Sequence, residues 1–189
     1  MGQYHHYHRS INRPLPSVNP VLYTSFNLLK HIPRKMASLP AILSPPLNPR
    51  EAITDALYRC LIGIDLNDAA LFDSAWTPTS TFANNGKVSA GLEAIHTDMF
   101  DRVAAMDTTH YPNNIRINIA EDGVNASLTA TVLAQHYRPG KGMEPGQTRL
   151  LAGAFYSVDL VKDGEVWKIQ TFDMKLSWAE GDWGVMTGQ

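Results

Sequence analysis

Three histidines, His96, His110 and His136, and one cysteine, Cys60, are the histidines and cysteines beyond the first fifty residues. A single cysteine leaves no internal disulfide and no thiolate cluster, which fits a reducing compartment. Cys60 has no base beside it in the sequence and falls on an apolar stripe, so it reads as a core residue. The three histidines are too widely spaced for a short metal motif. His5, His6 and His8 lie in a stretch without a folded frame and would hold a metal ion only adventitiously. No Gly-x-Gly-x-x-Gly follows a strand, and neither Gly-x-x-x-x-Gly-Lys nor Gly-x-Ser-x-Gly occurs, so nucleotide binding and serine hydrolysis have no support. Imidazole can also do acid–base work. A histidine ordinarily changes charge near neutrality, so it can take a proton from carbon next to a carbonyl and return it elsewhere. That chemistry serves isomerisation, cyclisation or loss of water, and needs no cofactor or metal.

Order starts at Asn48-Pro49-Arg50-Glu51, where Asn48 can cap a helix, Pro49 suits its first position and Glu51 completes a capping box. Ile53, Ala56, Leu57, Cys60, Leu61 and Ile64 then recur at helical spacing. A second helix is expected over about 67–76, ended by Thr77-Pro78. Two short strands, Thr81–Ala83 and Lys87–Ala90, flank the hairpin turn at Asn84-Asn85-Gly86. A third helix over about 91–106 carries Leu92, Ile95, Met99, Phe100 and Val103 on one face. His96 shares that face, where a histidine is more often a hydrogen-bonded core residue than a functional group. The last third alternates as strands, Thr109–Ala120, Ala126–Arg138, Thr148–Lys162 and Val166–Trp178, an antiparallel meander. Three helices followed by a sheet that must be covered is α+β organisation, with a cavity at the open end of the bent sheet.

The first forty-seven residues differ. Eight of the twelve prolines precede Arg50, and residues 1–50 hold no Asp or Glu, six Lys or Arg and four of the seven histidines. The domains expected are therefore a disordered basic extension, 1–47, and a globular domain, 48–189, with 18 acids against 10 bases after residue 50. Prolines oppose the amphipathic helix of a mitochondrial transit peptide, although the composition otherwise allows one, and Met36 is a second plausible start. The net charge of −2 supplies no field for nucleic acid or an anionic membrane. No apolar run is long enough to span a bilayer, and a cytoplasmic location is expected.

Several strings carry a resemblance over about residues 49–183: Ile64-Asp65-Leu66-Asn67-Asp68 closing the first helix, Phe72-Asp73-Ser74-Ala75-Trp76 in the second, Thr109-His110-Tyr111 opening the long strand, and Trp167-Lys168-Ile169 followed by Trp178 and Gly181-Asp182-Trp183. In this order they resemble the SnoaL-like group of the nuclear-transport-factor-2-like superfamily, with relatives such as scytalone dehydratase, ketosteroid isomerase and polyketide cyclases. The resemblance implies a cone-shaped α+β barrel, three N-terminal helices packed in a strongly curved, mixed, mainly antiparallel sheet. It also implies association as a homodimer or homotrimer through the outer sheet face, where Trp178 and Trp183 could lie.

The resemblance to scytalone dehydratase implies a catalytic pair, Asp65 and His110, with the carboxylate holding the imidazole. The residues themselves leave alternatives. Asp65 could cap the next helix, and strict alternation puts His110 on the face opposite Ile115, Ile117 and Ile119 unless Pro112 or Asn113 bulges and resets the register. The chain departs from the dehydratase at Ile64 and near Asn84, where that enzyme has tyrosines. His136 is a displaced candidate for its second histidine, or a strand-end residue in solvent. Trp76, Phe82, Asn84, His96, His136, Tyr156 and Phe172 are the candidate substrate-binding residues, suiting a small, flat, hydrophobic carbonyl ligand such as a polyketide or terpenoid. Two functions follow: a cofactor-free lyase or isomerase, or a non-catalytic ligand-binding or assembly module on the same frame.

Overall fold

The first helix begins as its capping signal requires. In the computed structural model, which describes residues 38–188, α1 runs Pro49–Asp65 and the Asn48 side chain accepts the N–H groups of Arg50 and Glu51. The Glu51 carboxylate in turn accepts the Asn48 N–H at 3.0 Å, so the reciprocal pair satisfies three of the free donors at the helix start. Ile53, Ala56, Leu57, Cys60, Leu61 and Ile64 are all buried. The expectation of a disordered extension over 1–47 lies, as far as residue 37, outside the described residues. Of the rest, Ser38 donates to Asp68 at 2.5 Å.

Helix α2, Ala69–Ser74, is capped by Asp68 and shorter than expected, because Trp76 already opens strand β1, Trp76–Asn84. The two helices cross at Gly63. A Cβ built there would lie 2.7 Å from the Phe72 backbone nitrogen, closer than atoms can pack, so this crossing needs glycine. Strand β2, Lys87–Ala90, forms the expected hairpin with β1.

The third helix is not one regular element. Leu92–Ile95 (α3) and Asp101–Val103 (α4) are α-helical, with a π-helical turn, His96–Phe100, between them. Ile95, Met99 and Phe100 are buried as the apolar spacing requires.

Four long strands follow: β3 Asp107–Ile119, β4 Asn125–Tyr137, β5 Arg149–Asp163 and β6 Val166–Gly181; a short turn of helix, α5 Gly184–Thr187, ends the described chain. The strand order is β2-β1-β6-β5-β4-β3. All neighbours are antiparallel except β1 with β6, which run parallel. The sheet is mixed and mainly antiparallel, but as an ordered ladder it is open: β2 and β3 stand at its two edges. No helix among the described residues is long and apolar enough to cross a membrane.

The core lies between α1 and the inner sheet face. Phe172 is its hub, stacked on Trp76 at 5.9 Å and meeting Phe82 at 5.7 Å and Tyr156 at 4.7 Å edge to face. One buried charge ties the layers together. Arg59, 3% exposed, pairs with Asp55 at 2.9 Å, donates to Ser74 in the α2–β1 corner, and reaches the Trp167 carbonyl on β6 at 2.6 Å.

Candidate active site

Two elements of matched length bring Asp65 to His110. Arg50, in the first turn of α1, donates to the Ile117 carbonyl of β3 at 2.9 Å. From there the helix runs along the strand toward its start. Fifteen helical residues rise about 22 Å and seven strand residues about 24 Å, so the end of the helix falls beside His110.

The side on which His110 sits is decided further along the strand. The register between β3 and β4 slips between Asn113 and Arg116, and Asn114 adopts φ 52°. Asparagine enters the left-handed region more readily than most residues. Its side chain holds the irregularity by donating to Thr131 Oγ1 at 2.8 Å. The extra residue lets His110 and Ile115, Ile117 and Ile119 lie on the same, inner face, where strict alternation would have put them on opposite ones.

Asp65 grips His110 twice. Its Oδ1 lies 2.7 Å from His110 Nδ1, and its Oδ2 accepts the His110 backbone N–H at 2.9 Å. The side chains are 8% exposed for His110 and 16% for Asp65. With Nδ1 turned to the carboxylate, Nε2 of His110 is the nitrogen left to act, and it bonds to no described residue. A carboxylate that fixes one ring nitrogen sets the tautomer and orientation of an imidazole, leaving the other nitrogen as a base.

His136 stands beside this pair. Its ring meets that of His110 edge to face at 5.5 Å; the residue is 6% exposed, and its buried Nδ1 has no hydrogen-bond partner among the described residues. Burial first, and then the neighbouring His110, depress its pKa from 6.5 to about 4, so the ring is neutral at physiological pH. Tyr156, on β5, is also buried. Burial, with Cys60 and Asp65 nearby, pushes its phenol well above the usual range and keeps it protonated.

The other candidates lie elsewhere. Trp76, Phe82 and Phe172 pack on one another in the core, none more than 4% exposed. Asn84 ends β1 at the hairpin and bonds to Asn85. His96, at the start of the π-helical turn, is held by Asp73 at 2.5 Å and packs edge-on to Phe72. The structure therefore brings Asp65, His110 and His136 together, sets Tyr156 on the same face, and does not bring Asn84 or His96 to them. A groove of about 390 Å³ reaches Asp65 at the edge of β3, between Thr109, Tyr137 and the loop carrying Met143. Cys60 is buried and its thiol pKa is driven up by that burial, so it is no nucleophile. Among the described residues no cluster of three or more His, Cys, Asp or Glu could hold a metal ion.

Arg59 went unnoticed in the sequence. Apart from Asp55, one helical turn before it, its partners lie 15 and 108 residues away.

Helices laid on one face of a mixed six-stranded sheet, with a carboxylate–imidazole pair between the first helix and the edge strand, define a protein of the nuclear-transport-factor-2-like class. Residues 45–173 match the model of the SnoaL-like domain, and the chain belongs to that family. It is 45% identical over 150 residues to terrestric acid biosynthesis cluster protein E of Penicillium crustosum, across 78% of this chain and 96% of that protein. Among solved structures, it is similar to the hexachlorocyclohexane dehydrochlorinase LinA-type3 of Novosphingobium barchaimii LL02, with TM-score 0.58 and 21% identity over 72% of this chain and 91% of that one. It is also similar to a candidate scytalone dehydratase of Novosphingobium aromaticivorans, with TM-score 0.59 and 16% identity over 69% and 85%. At such identities these two likenesses show the fold alone.

Proposed function

We propose that this protein is a cofactor-free lyase or isomerase that moves a proton on a small hydrophobic carbonyl compound of secondary metabolism. The observation that carries the reading is the 2.7 Å contact between Asp65 and His110 Nδ1, with Nε2 bonded to no described residue. Nε2 removes a proton from carbon next to the carbonyl, the imidazolium so formed is stabilised by Asp65, and the same nitrogen returns the proton to another atom or to a departing hydroxyl. His136, neutral and 5.5 Å away, supplies a hydrogen bond to a substrate oxygen. The similarity to a biosynthesis cluster protein supports the setting, and the fold supports the reaction type by analogy.

Exchange of carbon-bound hydrogen tests the reading without knowledge of the natural substrate. In deuterium oxide, 1-tetralone and related ketones should exchange their α-hydrogens faster with the protein than in buffer. Asp65→Asn should slow this by about a hundredfold or more, and His110→Gln should remove it. Exchange at the buffer rate across the panel would sink the enzyme reading and leave the ligand-binding module, in which the pair only fixes the strand.

A further inference from the structure

The corner where α1 ends and α2 begins is fastened by Asp68, and Asp68 is itself held from outside. Its backbone N–H donates to the Gly63 carbonyl of α1 at 2.7 Å, and its Oδ1 accepts the Leu71 N–H at 3.1 Å, capping α2. One residue thus ties the end of one helix to the start of the next. The corner is tight: Asn67 takes φ 51°, and Gly63 meets the Phe72 backbone at a distance only glycine allows. Asp65, the last residue of α1, stands three positions before Asp68 and grips His110. The second carboxylate oxygen of Asp68, Oδ2, accepts the hydroxyl of Ser38 at 2.5 Å.

Ser38 lies where a modifying enzyme can reach it. It is partly exposed, Leu39 beside it is 72% exposed, and residues 38–48 form neither helix nor strand. The sequence leading to it, Arg34-Lys35-Met36-Ala37-Ser38, puts two cations four and three positions before the hydroxyl, in a stretch without acids. Basophilic serine kinases select such a charge pattern in their substrates. What distinguishes this serine from others behind basic residues is its partner. Phosphorylating a hydroxyl that donates to a carboxylate removes the bonding proton and sets a near-dianion against the acceptor.

We infer that Ser38 is a phosphorylation site whose modification loosens the α1–α2 corner and, with it, the position of Asp65. In the modifying step the Ser38 Oγ attacks the γ-phosphorus of ATP, the bond from that phosphorus to its bridging oxygen breaks, and ADP leaves. The hydroxyl proton passes to the carboxylate base of the kinase. The phosphoserine carries a charge of about −1.5 to −2 at neutral pH and faces a carboxylate at hydrogen-bond distance. Repulsion turns Asp68 from its place, the Leu71 N–H loses its acceptor, and the last turn of α1 loses the clamp that follows Asp65. For its effect on catalysis the inference rests on the proton-transfer reading and names a regulation of that same site.

The test uses the full chain, magnesium ATP and the catalytic subunit of cAMP-dependent protein kinase, a basophilic serine kinase. Mass spectrometry of the peptides should place a phosphate on Ser38, and Ser38→Ala should take none at that position. In the phosphorylated protein the Leu71 amide should exchange with deuterium at least about tenfold faster. The Ala52 amide, bonded to the Asn48 carbonyl at the far end of α1, should keep its rate. Asp68→Asn keeps a capping side chain and removes the charge, so phosphorylating this variant should speed Leu71 less than about twofold. No phosphate on Ser38, an unchanged Leu71 amide, or equal acceleration in Asp68→Asn would each overturn the inference. Catalysed exchange of the 1-tetralone α-hydrogens should fall at least about fivefold on phosphorylation, and an unchanged catalysed rate would overturn the link to Asp65. The two readings fail separately. Catalysis with an unmoved Leu71 amide refutes the switch and leaves proton transfer standing; a faster Leu71 amide in a protein that never catalyses exchange does the reverse.

Discussion

At the scale of single residues, the proposed chemistry depends on which nitrogen of His110 is left to act, and Asp65, bonded to Nδ1, sets it. The ¹⁵N resonances of the ring should report one tautomer, protonated at Nδ1. Asp65→Asn, which can donate as well as accept, should give a mixture. A single unchanged tautomer in the variant would mean that something other than Asp65 orients the ring. His136 makes a second prediction, with a definite sign. Its imidazole takes a proton near 6.5 when unfolded and only near 4 when folded, so between those values the unfolded chain binds more protons. The stability that a neutral His136 contributes is then complete above about pH 6.5 and is lost as pH falls toward 4, by roughly 3 kcal/mol. Urea unfolding at pH 7, 5 and 4 should show this slope in the natural protein and a smaller one in His136→Gln. The resemblance to scytalone dehydratase and its relatives, and not residue identity alone, singles out Asp65, His110, His136 and Tyr156. It could not separate them from Trp76, Phe82 and Phe172, because an aromatic side chain that lines a pocket and one that fills a core have the same sequence signature. His96 is hydrogen-bonded, as a histidine on an apolar helical face more often is, but its partner, Asp73, is 23 residues away.

At the scale of elements, the bulge in β3 is what a reader of the sequence could suspect but not place. Pro112 warned that the ladder would be disturbed, while the residue that takes the positive φ is Asn114. Deleting Asn114 should restore alternation and carry the first half of β3, with His110, to the other face. Such a variant should lose exchange activity by at least as much as His110→Gln while keeping its far-ultraviolet circular dichroism; retained activity would show that the bulge does not set the site. The helix ends were readable because a capping box is local. The parallel pairing of β1 with β6 was not, since it joins segments about ninety residues apart and local patterns carry no such information. The crossing of α1 and α2 gives another prediction. Alanine normally improves on glycine inside a helix by about 1 kcal/mol, but at Gly63 its methyl would meet the Phe72 backbone at 2.7 Å. Gly63→Ala should therefore destabilise the protein, by about 1–3 kcal/mol in thermal or urea unfolding.

At the scale of the whole molecule, the two faces of the sheet divide the work. The inner face carries the core and the candidate site. The outer face carries one row, Tyr111, Leu133, Gly153 and Trp178, in register across four strands, with the Trp178 indole lying over Gly153. Tyr111 is 52%, Leu133 37% and Trp178 49% exposed, with Phe155 at 43% beside them. The nearest charged residues, Arg116, Asp173, Lys175 and Glu180, lie outside this row. An apolar centre with charge kept to its border is the anatomy of an interface, and we propose that it joins copies of this chain as a homodimer or homotrimer. Leu133→Glu should shift the sedimentation velocity profile to monomer; a natural protein that is already monomeric at micromolar concentration would refute the proposal.

The position of β3 gives the double grip of Asp65 a further meaning. An outermost strand offers its unpaired N–H groups to any extended chain that comes by, and one of these, on His110, is occupied by the Asp65 carboxylate. The group that orients the imidazole thus also closes part of a template for strand addition. Losing Asp65 would open that template together with the proposed catalytic pair. Variants at this position should then be the ones most inclined to aggregate, so that the proposed reactivity and the solubility would be held by the same two oxygen atoms.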